Sequence, residues 1–234
     1  MDSPCIYLIP NLLGESNLSY SLPTETATIV ASLSHFLVEE EKSARALIKL
    51  LNPDRAIREL SIQRLNEHTK QAELESLLTP LKEGHSIGII SEAGCPAIAD
   101  PGSEVVAIAH QRGWRVVPLV GPCSMLLALM ASGLNGQSWR FTGYLAIEAT
   151  EREGQIRELD QRARKLGETQ IVMDTPYRNE KLAKELIELC HPDTRLCVAQ
   201  ALTTPKESIL TRSVREWRAS PPKIERLPTV FLIG

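Results

Sequence analysis

Residues 86–102, SIGIISEAGCPAIADPG, constrain the fold more than any other stretch of the chain. Ile87, Gly88, Ile89, Ile90 and Ser91 carry no charge, and the run reads as a strand covered on both faces. Such a strand belongs to a parallel sheet with helices packed on each side. Ala93-Gly94 and Pro101-Gly102 then make tight turns, where backbone can approach a ligand closely. In open α/β sheets ligands sit beyond the carboxyl ends of strands, so this loop predicts a small-molecule site.

Strand-like and helix-like segments alternate on either side of it. Strands are expected at 5–9, 35–38 and 114–120, and helices at 22–34, 39–51, 74–81, 103–112 and 124–132. Thr24 is a candidate N-cap for the first helix, and Gly84, Gly113 and Gly133 stand where helices end. Residues 54–68 are polar and carry no clear period. The first half therefore reads β-α-β-α-β-α with a mostly parallel sheet. Composition shifts at 135–139, which predicts two α/β domains, 1–134 and 135–234. In the second, strands are expected at 140–145, 170–174, 195–200, 207–211 and 229–233. A charged helix is expected at 150–166, and another carries Leu182, Leu186 and Leu189 on one face.

A net charge of −3 gives no global attraction to nucleic acid. The start, Met1-Asp2-Ser3-Pro4-Cys5, has no basic region ahead of an apolar run, and no apolar stretch approaches the roughly 20 residues of a membrane span. A cytoplasmic protein with no membrane partner is expected. Cys5, Cys95, Cys123, Cys190 and Cys197 are scattered without a CxxC pair, so no metal is expected. Cys190-His191 with Cys197 is the nearest approach to a ligand cluster. GxGxxG, GxxxxGK[ST] and GxSxG are all absent, which removes support for a dinucleotide fold, a P-loop and a hydrolase elbow.

What remains are strand ends built of small residues and backbone: Pro10, Ala93 to Ile98, Gly121 to Ser124, Met173 to Thr175, and Ala201 to Thr203. With Met173 and Ile98 as apolar contacts, such a set suits an adenosyl group and a sulfonium centre. Methyl transfer from a sulfonium needs mostly positioning and one general base.

The segment SEAGCP at 91–96 with DPG at 100–102 resembles the SDAGTP…DPG motif of the tetrapyrrole methylase superfamily, on the branch that methylates ribosomal RNA. Further pieces occur in the family's order. FLVEE at 36–40 resembles F-I-A-E-D, and Asn66-Glu67-His68 its H-N-E. PLVGP at 118–122 is similar to PLPGP, ASGL at 131–134 matches ASGL, and GYL at 143–145 is similar to GFL. DTPYR at 174–178 resembles ES-(P/T)-H-R, and Leu202-Thr203 with Glu207 resembles ELTK…E. The resemblance covers nearly the whole chain.

It implies two α/β domains with S-adenosylmethionine in the cleft between them, a homodimer, and a ribose hydroxyl of ribosomal RNA as methyl acceptor. It implies cofactor contacts at Pro10, Ala93, Gly94, Cys95, Pro96, Ile98, Asp100, Gly121, Pro122, Cys123 and Ser124. From the second domain it adds Met173, Thr175, Ala201, Leu202 and Thr203. The chain departs from the pattern at Glu92 and Asp174, which exchange Asp and Glu, at Gln200-Ala201, where the family has Arg-Glu, and in the first loop after Pro10. A tetrapyrrole acceptor, or a cofactor-binding protein without turnover, remains open beside the RNA reading.

Several residues admit a structural and a functional role. Glu39, Glu40 and Glu41 suit the positive end of a helix or the acceptor site. Asp100 either initiates a turn or orders the cofactor loop. Glu92 is a candidate general base, given a burial-raised pKa. Arg178 grips a phosphate or pairs with Asp174. Asn66-Glu67-His68 opens a helix or faces substrate. The three tryptophans do not cluster with basic residues, so no base-stacking platform is expected.

Overall fold

The computed structural model describes residues 3–66 and 68–234. The chain divides after Cys123 into two compact units. The expected boundary after Leu134 falls later, and the helix between the two positions accounts for the difference.

The first unit holds strands β1 (Cys5–Ile9), β2 (His35–Val38), β3 (Ser61–Arg64), β4 (Ile87–Ile90) and β5 (Arg115–Pro118). They form one wholly parallel sheet in the order β3-β2-β4-β1-β5. Its helices are α1 (Leu18–Ser21), α2 (Thr24–Ser32), α3 (Glu41–Leu51), α4 (Gln71–Leu77), α5 (Thr79–Lys82) and α6 (Ser103–Gln111). Both faces of β4 are covered, as its apolar run requires. Ile87 and Ile89 pack with Leu74, Leu78, Val105 and Ile108, whereas Ile90 packs with Val30, Ala44, Leu47 and Ile48. Gly88 faces the second cluster, where a Cβ would stand 2.6 Å from Ile9 Cδ1. Strand β3 lies in the polar stretch that shows no period, because this edge strand is only partly covered. The N-cap of α2 is Pro23, without a side-chain bond, so Thr24 is the helix's first residue and not its cap.

The second unit holds β6 (Trp139–Gly143), β7 (Thr169–Asp174), β8 (Arg195–Gln200), β9 (Ser208–Ser213) and β10 (Thr229–Ile233), in the order β6-β7-β10-β8-β9. Only β6 and β7 run parallel, and β10 sits antiparallel between β7 and β8. Its helices are α7 (Ser124–Ser132), α8 (Ala149–Leu166), α9 (Asn179–Leu189) and α10 (Val214–Ala219). Helices α8 to α10 bury Ile156, Leu159, Leu186 and Trp217 against Val172, Val198, Phe231 and Ile233. Helix α7 packs on strands β8, β9 and β10 of this same sheet, and Thr211 Oγ1 donates to Ser132 O at 2.7 Å. That packing carries α7 into the second unit and moves the boundary upstream. Among the described residues no helix is long and apolar enough to cross a membrane.

Candidate functional site

Parallel strands end on one edge of the first sheet, and there β1 and β4 are neighbours whose connections leave in opposite directions. β1 leads toward β2 on one side and β4 toward β5 on the other, and in such sheets ligands sit beyond the carboxyl ends of the strands. The loop after β4 fills this edge. Asn11, 5% exposed, fastens it. Its backbone exchanges two hydrogen bonds with Gly94, N–H to O at 2.8 and 3.1 Å. Its Nδ2 donates to Ser91 O at 3.0 Å and Glu92 O at 2.9 Å, while its Oδ1 accepts from Leu12 N at 2.8 Å. Ser91 Oγ closes the turn by donating to Gly94 O at 3.0 Å.

This loop is conformationally demanding. Gly94 and Gly102 have φ of +72° and +130°, but so do two residues with side chains, Ala97 at +65° and Ala99 at +61°. Left-handed backbone at non-glycine residues costs on the order of 1–3 kcal/mol and gathers at ligand sites. Pro96 is buried and Ile98 is 47% exposed. Opposite lies the turn after β5, where Cys95 Sγ donates to Pro122 O at 3.4 Å. A Cβ on Gly121 would stand 2.3 Å from the Pro10 Cβ, so only glycine lets this turn rest on the end of β1.

Three carboxylates share the edge. Glu39 Oε2 accepts from the Glu92 backbone N–H at 2.8 Å. Burial, then the charges of Glu39 and Glu92, push the Asp100 carboxyl up to about 7, against a hydrogen bond from Ser91 that lowers it. Glu40 instead caps α3 by accepting from Ser43 N at 2.8 Å, and Glu41 pairs with Arg45 at 2.9 Å. The acidic run is thus divided, two residues for the helix and one for the strand edge.

In the second unit, β6, β7 and β8 end on one edge, and Thr229 of β10 pairs there with both Asp174 and Gln200. Ser124 Oγ donates to Met173 Sδ at 3.9 Å, which joins the start of α7 to the end of β7. Beyond β8, Ala201 and Thr203 again have positive φ, +47° and +67°. Ala201 N donates to Pro228 O at 2.8 Å, Thr203 N donates to Glu207 Oε2 at 2.7 Å, and Leu202 is buried. The Thr175 and Thr203 hydroxyls are buried with no partner among the described residues. Arg178 Nε lies 3.2 Å from Asp174 Oδ2, and that carboxylate also accepts from Thr175 N at 2.8 Å, so the arginine is paired with the strand end.

Asn66 Oδ1 accepts from His68 N at 2.9 Å in a turn ahead of α4, and Glu67 lies outside the described residues. Burial pushes the Cys190 thiol up to about 12, which keeps it protonated. No group of three or more His, Cys, Asp or Glu able to hold a metal occurs among the described residues. Asn11 is the edge residue that sequence reasoning did not single out. Its partner Ser91 lies 80 positions away, so no local pattern marks it.

The profile of a family described as Tetrapyrrole (Corrin/Porphyrin) Methylases matches residues 24–217. The chain is 29% identical over 207 residues to a protein of Vibrio cholerae serotype O1 named Ribosomal RNA small subunit methyltransferase I, covering 88% of this chain and 68% of the relative. A relative of the same name from Escherichia coli O157:H7 is 31% identical over 145 residues, 62% of this chain and 49% of its own length. Among solved structures, the methyltransferase CobJ superposes with a TM-score of 0.63 at 18% identity, covering 99% of this chain and 94% of CobJ. Uroporphyrin-III C-methyl transferase from Thermus thermophilus, complexed with S-adenyl homocysteine, gives 0.59 at 18% identity, covering 98% and 97%. At these identities the two structures speak for the fold.

Proposed function

The chain belongs to the tetrapyrrole methylase family of S-adenosylmethionine-dependent methyltransferases, and from that premise we propose that it methylates a ribose hydroxyl of ribosomal RNA. The observation that carries the acceptor is the 29% identity, along 88% of this chain, to a relative named as a ribosomal RNA methyltransferase.

The residues at both strand edges fit the cofactor. Backbone and small side chains predominate, and four non-glycine residues (Ala97, Ala99, Ala201 and Thr203) hold left-handed conformations. The unpartnered Thr175 and Thr203 hydroxyls leave hydrogen bonds to be made by a ligand. In the first unit Pro10, Ala93 to Pro96, Ile98 and Gly121 to Cys123 would hold the cofactor. In the second, Ser124, Met173, Thr175 and Ala201 to Thr203 would do so. When bound, S-adenosylmethionine supplies an activated methyl group on a sulfonium.

The chain's own part is positioning and proton handling. A carboxyl titrating near 7 is matched to accept a hydroxyl proton at neutral pH, which favours Asp100 as base. Glu92, exposed beside it, is the second candidate. Arg178, steadied by Asp174, keeps guanidinium N–H groups for an RNA phosphate. Leu126 and Met130 expose the outer side of α7, Met130 at 81%, which supports a homodimer across that helix. An RNA acceptor of this kind assigns the protein to the cytoplasm.

Methyl-labelled S-adenosylmethionine with small ribosomal subunits tests the proposal. Label is expected in ribosomal RNA, in dinucleotides resistant to alkali, because a methylated 2′-hydroxyl cannot assist cleavage. Label that instead enters a tetrapyrrole, or no acceptor offered, contradicts it.

A further inference from the structure

Two thiols meet in the loops proposed to hold S-adenosylmethionine, and their joint role depends on that cofactor assignment. Cys95 lies in the loop after β4 and Cys123 ends the turn after β5. The Cys123 thiol is a neighbour of the Cys95 thiol. Cys95 Sγ also stands 3.4 Å from Pro122 O and 4.0 Å from Gly121 O, so it rests on the backbone that carries Cys123. Cys95 is partly exposed and reachable by a small oxidant, whereas Cys123 is buried. The other cysteines are buried on separate elements: Cys5 on β1, Cys190 after α9 and Cys197 on β8.

We propose that Cys95 and Cys123 form a reversible disulfide that switches off cofactor binding. With hydrogen peroxide as oxidant, one sulfur attacks a peroxide oxygen, the O–O bond breaks, and the thiol proton leaves in a molecule of water. The resulting sulfenic acid is attacked at sulfur by the second thiol. Its S–O bond breaks, and the hydroxyl departs with the second proton as another water. Two thiols are thereby oxidised and one peroxide is reduced to two waters.

Closing the bond brings the sulfurs from a non-bonded contact to about 2.05 Å. The loop at 91–102 is then drawn onto the turn at 121–123. That movement is poorly tolerated where Asn11 clamps one end and Gly94, Ala97 and Ala99 hold left-handed conformations. The backbone that would face the cofactor is displaced. The neighbouring Cys123 thiol and burial hold the Cys95 thiol above its ordinary range, so the oxidation is slow and is followed over hours with peroxide in excess.

The test uses the intact chain, titrated with S-adenosylmethionine when reduced, after peroxide, and again after dithiothreitol. Expected are a mass lower by two hydrogens, a crosslinked peptide joining Cys95 and Cys123, and affinity reduced about tenfold or more and restored by the reductant. Cys95→Ser and Cys123→Ser should lack the crosslink, and whatever affinity each keeps should not change with peroxide. Absence of the crosslink, or a crosslinked chain that binds as before, overturns the switch. A reduced chain that fails to bind overturns the cofactor assignment and the switch with it, and the first titration tells that result apart.

Discussion

Asn11 spends both ends of its side-chain amide on backbone, and its Nδ2 bonds are the ones that reach the loop after β4. Asn11→Ala would leave the buried Ser91 carbonyl without that donor, a loss of about 1–3 kcal/mol. Affinity for S-adenosylmethionine should fall about tenfold or more, while circular dichroism of the folded chain stays unchanged; a variant that binds like wild type would show that the cofactor loop does not need this clamp. Asp100 makes a second prediction at this scale. Its folded-state pKa is raised to about 7 from 3.8, so its contribution to stability is present below the unfolded value and lost as pH rises through 7. Asp100→Asn should therefore be more stable than wild type in urea at pH 8, with the gap closing toward pH 4. Proton transfer should suffer in the same variant, with kcat reduced by about 10²-fold or more if Asp100 is the base. Neither residue's role was legible locally. Asn11 looks like any polar residue after a strand, and what raises Asp100, burial first and then the charges of Glu39 and Glu92, is assembled by tertiary folding.

Elements were legible where burial imposed a pattern. Strands β1, β2 and β4 stand within a residue of their expected places, because apolar runs covered on both faces leave a strong signal. β3 did not, since SIQR is an edge strand with half its side chains in water. The short α1 and α10 also escaped notice; α10 is set by a capping box between Ser213 and Glu216 rather than by a long apolar stripe. Helices α8 and α9 are joined by a contact that composition does not announce. Arg152, almost wholly buried, donates from Nε and Nη2 to both Glu185 carboxylate oxygens at 2.6 Å, and from Nη1 to the carbonyls of Ala146 and Ile147. Arg152→Ala should destabilise the chain by about 3–5 kcal/mol in urea unfolding, since it strands a carboxylate as well as two carbonyls. The Arg152 hydrogen bond holds Glu185 below the usual carboxylate range, so the pair's contribution is present above that range and lost as pH falls through it. An unchanged midpoint in the variant would show that the pair is idle.

At the scale of the whole molecule the sequence supports two α/β units, each with a five-stranded sheet. The boundary was harder, because the apolar run of α7 says that the helix is buried without saying against which sheet. The candidate site was legible as a set of strand ends, since small residues and glycines at those positions have few other reasons to recur. Its clamp, its left-handed alanines and its carboxylate grouping were not, being products of tertiary contact. The central claim is that the loop at 91–102 holds S-adenosylmethionine. Calorimetric titration of wild type and Ile98→Trp tests it most directly, because Ile98 is 47% exposed and the larger ring can be carried without disturbing a core. Wild type should bind at micromolar concentrations, and Ile98→Trp should lose that binding in a chain still folded. Equal binding by both proteins would contradict the claim.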